Sequence, residues 1–156
     1  MPDVLHVNDW PGGLAPAYLR WDGASVRTIL TIHNIAYQGI FDRERLHRLG
    51  IPESAFDMYG VEFHDRLSFL KAGIFYADQV VTVSPRYAGE ITTKVLGAGL
   101  HGLMRTLRAE GRLSGILNGI DESWDPEQDP YLPRHFAART FRASRLSQTW
   151  YAPRFA

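Results

Sequence analysis

Thr31-Ile32-His33-Asn34-Ile35-Ala36-Tyr37-Gln38-Gly39-Ile40-Phe41 joins two kinds of sequence. Upstream, Val26 to Ile32 is, apart from Arg27, a run of β-branched and aliphatic residues of strand length, suited to burial in a sheet. Downstream, Gly39 permits a sharp backbone turn. Between them stand His33, Asn34, Tyr37 and Gln38, four side chains that donate or accept hydrogen bonds. Polar groups just past the carboxyl end of a buried strand occupy the place where open α/β sheets bind ligands. A ligand rich in hydroxyls suits such a row. Spacing alone leaves a second reading open, because a single His after a strand also serves as a satisfied structural residue and Asn-x-x-Tyr can close its own backbone.

On either side of this stretch, strands and helices alternate. Asp3 to Asn8 reads as a short buried strand, Asp9-Trp10-Pro11-Gly12-Gly13 as a tight loop, and Leu14 to Trp21 has helical apolar spacing. With Val26 to Ile32 this forms a β-α-β unit, whose crossover implies parallel strands. Asp42 to Leu49 reads as a short helix capped by Asp42 and stopped at Gly50, and Ile51 to Glu62 as an irregular excursion. Arg66 to Ala77 is apolar nearly all round and predicts a buried helix. Gln79 to Val83 is the next strand, and Ser84-Pro85 is an N-cap followed by Pro at the first helical position, opening a helix that continues over Arg86 to Thr92. Leu100 to Glu110 predicts an amphipathic helix ending at Gly111, and Ser114 to Leu117 a last strand running into the turn Asn118-Gly119. The pattern is α/β: a Rossmann-like parallel sheet flanked by helices.

Composition narrows the function classes. The 156 residues carry 17 basic and 17 acidic side chains, without the basic excess that marks a nucleic-acid or anionic-membrane partner. There is no Cys, so disulfide and thiolate chemistry are excluded and a reducing compartment fits. No apolar run approaches the roughly 20 residues needed to span a bilayer. Met1-Pro2-Asp3 leads straight into Val4-Leu5-His6-Val7, with no targeting segment, so a cytoplasmic location is expected. His6, His33, His47, His64, His101 and His135 show no close helical pairing, so no metal site is expected.

The Thr31 to Phe41 stretch resembles the His-Asn-Ile/Leu-Ala-Tyr-Gln-Gly motif of bacterial glycogen synthases and plant starch synthases, retaining glucosyltransferases of the two-domain GT-B type. Asn8-Asp9-Trp10 followed by Gly13-Leu14-Ala15-Pro16, Ser68-Phe69-Leu70-Lys71-Ala72-Gly73, Thr82-Val83-Ser84-Pro85 and Gly115-Ile116-Leu117-Asn118-Gly119-Ile120-Asp121 are similar to further segments of that family, in its order. The resemblance implies the N-terminal GT-B half and transfer of glucose from ADP-glucose to the non-reducing end of an α-1,4-glucan with retention of configuration. It implies no metal or redox cofactor. It assigns His33 to the donor glucose beside the reacting carbon, where a hydrogen bond or partial positive charge stabilises developing charge. Asp9 and Asn118 are implied to face the sugars. Asn34, Tyr37 and Gln38 either bond sugar hydroxyls or hold the loop in shape. By position alone, Asp9 reads as a cap of the following helix and Asn118-Gly119 as a plain turn. Lys71 is expected to pack its stem along the core and keep its ammonium in solvent. Gly97-Ala98-Gly99 is a glycine-rich turn before a helix, lacking the strand and downstream acid of a dinucleotide loop.

The resemblance runs from Pro2 to about Phe136, and we take residues 1–136 as the partial catalytic domain and 137–156 as an off-family tail. After Asp129 no acidic residue occurs, whereas Arg134, Arg139, Arg142, Arg145 and Arg154 do, so a tail of low order is expected. The family's Lys-Thr-Gly-Gly loop and second nucleotide-binding domain have no counterpart in these residues. A truncated or frame-disrupted product with little transferase activity is therefore expected, with an open sheet edge where further strands would pair. The alternative of another class is a non-catalytic glucan-binding module or an inactive remnant. Oligomeric state is not readable.

Overall fold

The computed structural model describes residues 2–119, 121 and 124–137. The chain divides into two compact units, residues 1–118 and 119–156. In the first, β1 (Val4–Asn8), β2 (Arg27–Ile32), β6 (Gln79–Thr82) and β7 (Leu113–Gly115) form one sheet in the order β1-β2-β6-β7. Every pairing is parallel, with Asn8 opposite Thr31, Ile32 opposite Thr82, and Thr82 opposite Gly115. Helices α1 (Leu14–Trp21), α2 (Phe69–Tyr76), α3 (Pro85–Glu90) and α4 (His101–Ala109) make the connections. This is the α/β parallel sheet expected from the alternation of elements.

One core cluster joins Leu30, Ile32 and Val80 of the sheet to Ile74, Ile91, Met104 and Leu107. A second gathers Leu14, Ala17, Leu46, Val61, Leu67 and Ala72 beneath the excursion. α2 lies between them, and its run from Leu70 to Ile74 is buried without interruption. Its contact with α1 depends on the absence of side chains, since a Cβ at Gly13 would stand 2.1 Å from the Phe69 carbonyl oxygen.

Several boundaries differ from expectation; β6 ends at Thr82 rather than Val83 and α3 at Glu90 rather than Thr92. Arg66–Ser68 is strand β5, which pairs antiparallel with β3 (Ile40–Phe41) and β4 (Glu62–Phe63) in a small second sheet. α2 starts only at Phe69, because Ser68 Oγ accepts from the Lys71 amide at 3.1 Å and so caps the helix there. Asp42 caps nothing; it accepts from Arg66 at 3.0 Å, and two 3₁₀ turns, Arg43–Arg45 and His47–Leu49, replace the expected helix. β7 lies one to two residues earlier than expected, leaving Ile116 and Leu117 exposed. Ser84 and Pro85 open α3 as expected, with Ser84 Oγ accepting from the Tyr87 amide at 3.0 Å.

In the second unit the described residues form turns. Asp125 Oδ1 accepts from the Glu127 amide and Asp129 Oδ1 from the Tyr131 amide, both at 2.9 Å. The Arg-rich segment from residue 138 lies outside the described residues. Among the described residues no helix is long and apolar enough to cross a membrane.

Candidate functional site

The parallel order brings the carboxyl ends of β1, β2, β6 and β7 to one edge, and the residues singled out in the sequence follow those ends. Asp9 leaves β1 with φ of 51°, in the left-handed region that a non-glycine residue enters at a cost. Its amide donates to the Thr31 carbonyl at 2.8 Å, continuing the β1–β2 ladder by one bond. Its Oδ1 accepts from the His33 amide at 2.8 Å. Asp9 makes no side-chain cap to the turn that follows it. The carboxylate therefore ties the end of one strand to the start of the loop leaving the next.

The loop from His33 to Gly39 is fastened at nearly every residue. His33 is exposed, and its Nε2 lies 3.1 Å from Asn8 Oδ1. Asn34 Oδ1 accepts from the Ala36 amide at 3.0 Å, closing an Asx turn. The buried Ile35 amide donates to the Tyr87 hydroxyl of α3 at 2.9 Å. Tyr37 stands out in solvent, 66% exposed. Gln38 is 8% exposed, and its Nε2 donates to the Ala98 carbonyl at 2.8 Å. The Gln38 carbonyl takes the Leu70 amide and the Gly39 carbonyl the Phe69 amide, so the loop also receives first-turn N–H groups of α2 that no helix carbonyl can reach. At Gly39 φ is 58°, and a Cβ there would lie 2.4 Å from the Trp10 ring. Trp10 in turn packs against Phe41 and Phe69.

Asn34 and Gln38 thus shape the loop, whereas His33 and Tyr37 face outward. Asn118 is exposed, three residues past the carboxyl end of β7. Sequence reasoning missed Tyr87 and Asn8; it placed the turn at Ala98 and Gly99, where φ reaches 47° and 85°, but not the contact of that turn with Gln38. Only the glycine pair around Ala98 signalled that turn. Lys71 also departs from expectation. It is 8% exposed, and its Nζ donates to the carbonyls of Met58, at 2.8 Å, and of Glu62, drawing the excursion onto α2. Burial pulls its pKa below the ordinary lysine value, against the opposing charges of Glu62 and Asp57. A cavity of about 470 Å³ opens beside it, lined by His64, Phe63 and the first turn of α4 at His101.

The amino ends of the strands hold a different arrangement. Asp78 accepts from the Thr28 amide at 2.7 Å, from the Thr28 hydroxyl at 2.9 Å and from Arg20 at 2.5 Å. Arg112 donates to the Ala77 and Phe75 carbonyls, closing the end of α2. These groups bond one another and build the base of the sheet.

The family model described as the starch synthase catalytic domain matches residues 1–106. The chain belongs to that family. Glycogen synthase 1 of Bradyrhizobium diazoefficiens is 55% identical over 136 residues, covering 87% of this chain and 29% of the relative. Glycogen synthase of Yersinia pestis is 46% identical over 149 residues, covering 95% of this chain and 31% of the relative. The catalytic domain of starch synthase IV from Arabidopsis thaliana, solved bound to ADP and acarbose, superposes with a TM-score of 0.72 at 35% identity, over 88% of this chain and 30% of that one. The chain thus spans about 30% of the length of these relatives. Within this starch synthase family member, among the described residues, no group of three or more His, Cys, Asp or Glu side chains is placed to hold a metal ion.

Proposed function

We propose that this chain is the sugar-binding part of a glucosyltransferase that moves glucose from ADP-glucose to the non-reducing end of an α-1,4-glucan with retention of configuration. The observation that carries the reading is the loop at the carboxyl end of β2, which Asp9, Tyr87 and Gln38 hold so that His33 and Tyr37 face outward. A loop fixed in advance presents its donors and acceptors without further ordering, as transition-state stabilisation requires. His33 is the group we assign to the reacting glucose, in an electrostatic role. Tyr37, Asn118 and the Asp9 carboxylate contact sugar hydroxyls, with Asn34 and Gln38 holding the frame.

Protein charges rather than a bound cation stabilise the departing nucleotide diphosphate, and no redox cofactor enters. The ADP and acarbose of the Arabidopsis neighbour support a nucleotide and a saccharide as ligands. The setting is cytoplasmic, in keeping with the absence of Cys. We assign no nucleic-acid or membrane partner.

Isothermal titration of the folded chain with maltoheptaose, and separately with ADP-glucose, tests this. We expect glucan binding, weakened about ten-fold, or 1.4 kcal/mol, by His33→Ala or Asp9→Ala. We expect little glucose incorporation by the chain alone. A folded chain that binds neither ligand would refute the reading.

A further inference from the structure

We propose that Asn8 is a positioning residue for His33: it holds the proton of the neutral imidazole on Nε2 and leaves Nδ1 as a hydrogen-bond acceptor for a sugar hydroxyl. Asn8 is the last residue of β1 and pairs in register with Thr31. Side chains two apart share a face of a strand, so the residue two beyond Thr31 comes diagonally across from Asn8. There His33 Nε2 stands 3.1 Å from Asn8 Oδ1. An amide oxygen only accepts, so the imidazole nitrogen facing it must be the donor. A neutral imidazole has one N–H, and placing it on Nε2 makes Nδ1 the acceptor.

The rest of the local geometry supports a fixed ring. Asp9 Oδ1 anchors the His33 amide at 2.8 Å, so backbone and side chain of the same residue are held by consecutive residues of one strand end. Along the same face, His6 Nε2 lies 2.7 Å from Thr31 Oγ1. His6 therefore has a partner of its own, and Asn8 is left to His33. The consequence for sugar binding rests on the assignment of His33 given above; the hydrogen bond itself does not.

The test is an imidazole proton–nitrogen correlation spectrum of the chain labelled with ¹⁵N-histidine, recorded where the rings are neutral. His33 is assigned by the signal lost in His33→Gln. An imidazole proton facing water exchanges too fast to be seen, whereas a hydrogen-bonded one persists. We expect a His33 Nε2 proton in the wild type, its loss in Asn8→Ala and Asn8→Leu, and its retention in Asn8→Asp, whose carboxylate still accepts. Asn8 is exposed, and circular dichroism checks that each variant folds. A wild-type His33 protonated at Nδ1, or an Nε2 proton that survives Asn8→Ala, overturns the proposal. Maltoheptaose titration is the separate arm, in which Asn8→Ala should weaken binding about five-fold. If the wild type does not bind maltoheptaose, the glucan reading fails while the imidazole spectrum still decides the role of Asn8.

Discussion

Replacing Gly39 by Ala should disrupt the loop by two separable effects, and Gly50 supplies the internal comparison. Both glycines sit in the left-handed region, with φ of 58° and 64°. A Cβ at Gly50 meets nothing within 4 Å, whereas a Cβ at Gly39 lies 2.4 Å from Cε3 and 2.8 Å from Cδ2 of Trp10. Each substitution carries the backbone cost of a left-handed alanine, about 1 kcal/mol. Each also narrows the unfolded ensemble by a similar amount, so that contribution cancels in the comparison. Only Gly39→Ala must move an indole that packs on Phe41 and Phe69. Overpacking of this kind costs about 1–3 kcal/mol. Gly39→Ala should therefore be less stable than Gly50→Ala by about 2 kcal/mol. Urea unfolding of both variants, followed by circular dichroism, measures the difference as a shift in midpoint at constant slope. Equal losses at the two positions would refute the argument that Trp10 sets the path of the loop.

Tyr87→Phe removes the acceptor of the buried Ile35 amide, and should cost about 1–3 kcal/mol in urea unfolding while also weakening maltoheptaose binding. Asp78 contributes a pH dependence: burial pushes its pKa up, but the Thr28 amide and hydroxyl, with Arg20 and Arg27, outweigh this and hold the carboxyl below its ordinary value. A carboxyl held down in the folded state contributes stability that is present above the unfolded carboxylate's pKa, near 4, and is lost as pH falls through the folded value. Thermal unfolding from pH 7 downward should show that loss in the wild type, and Asp78→Asn, less stable at pH 7 by about 1–2 kcal/mol, should show a shallower decline.

The inner strands β2 and β6 were legible because buried parallel strands read as apolar runs, and Ser84-Pro85 and Gly50 because they are local signals with a local cause. By contrast β1, read as a buried strand, lies at the sheet edge and has no buried residue. Arg66 to Ser68 was not legible, since its one apolar residue, Leu67, fits helix and strand alike. The choice falls to β3 and β4, partners distant in sequence. Asp42 had the form of a cap, yet an arginine 24 residues on bonds it instead. At the site, His33, Asp9 and Asn34 could be found by position after a strand. What holds them could not, because the Tyr87 hydroxyl and the Ala98 carbonyl reach the loop from 52 and 60 residues away. Lys71 shows the same limit: its partners are main-chain carbonyls, which leave no trace in residue identity.

The bonds that hold this loop share one property. Asp9, Asn34 and Tyr87 grip amides of the loop, and the first turn of α2 grips its carbonyls, so most of the fastening is to atoms that every residue possesses. The outward positions 33 and 37 are thereby uncoupled from the course of the chain. A different pair of side chains there would be displayed on the same frame at little structural cost. On the sugar-binding function proposed above, selectivity for one saccharide over another would be set at those two positions while the architecture beneath them stays put.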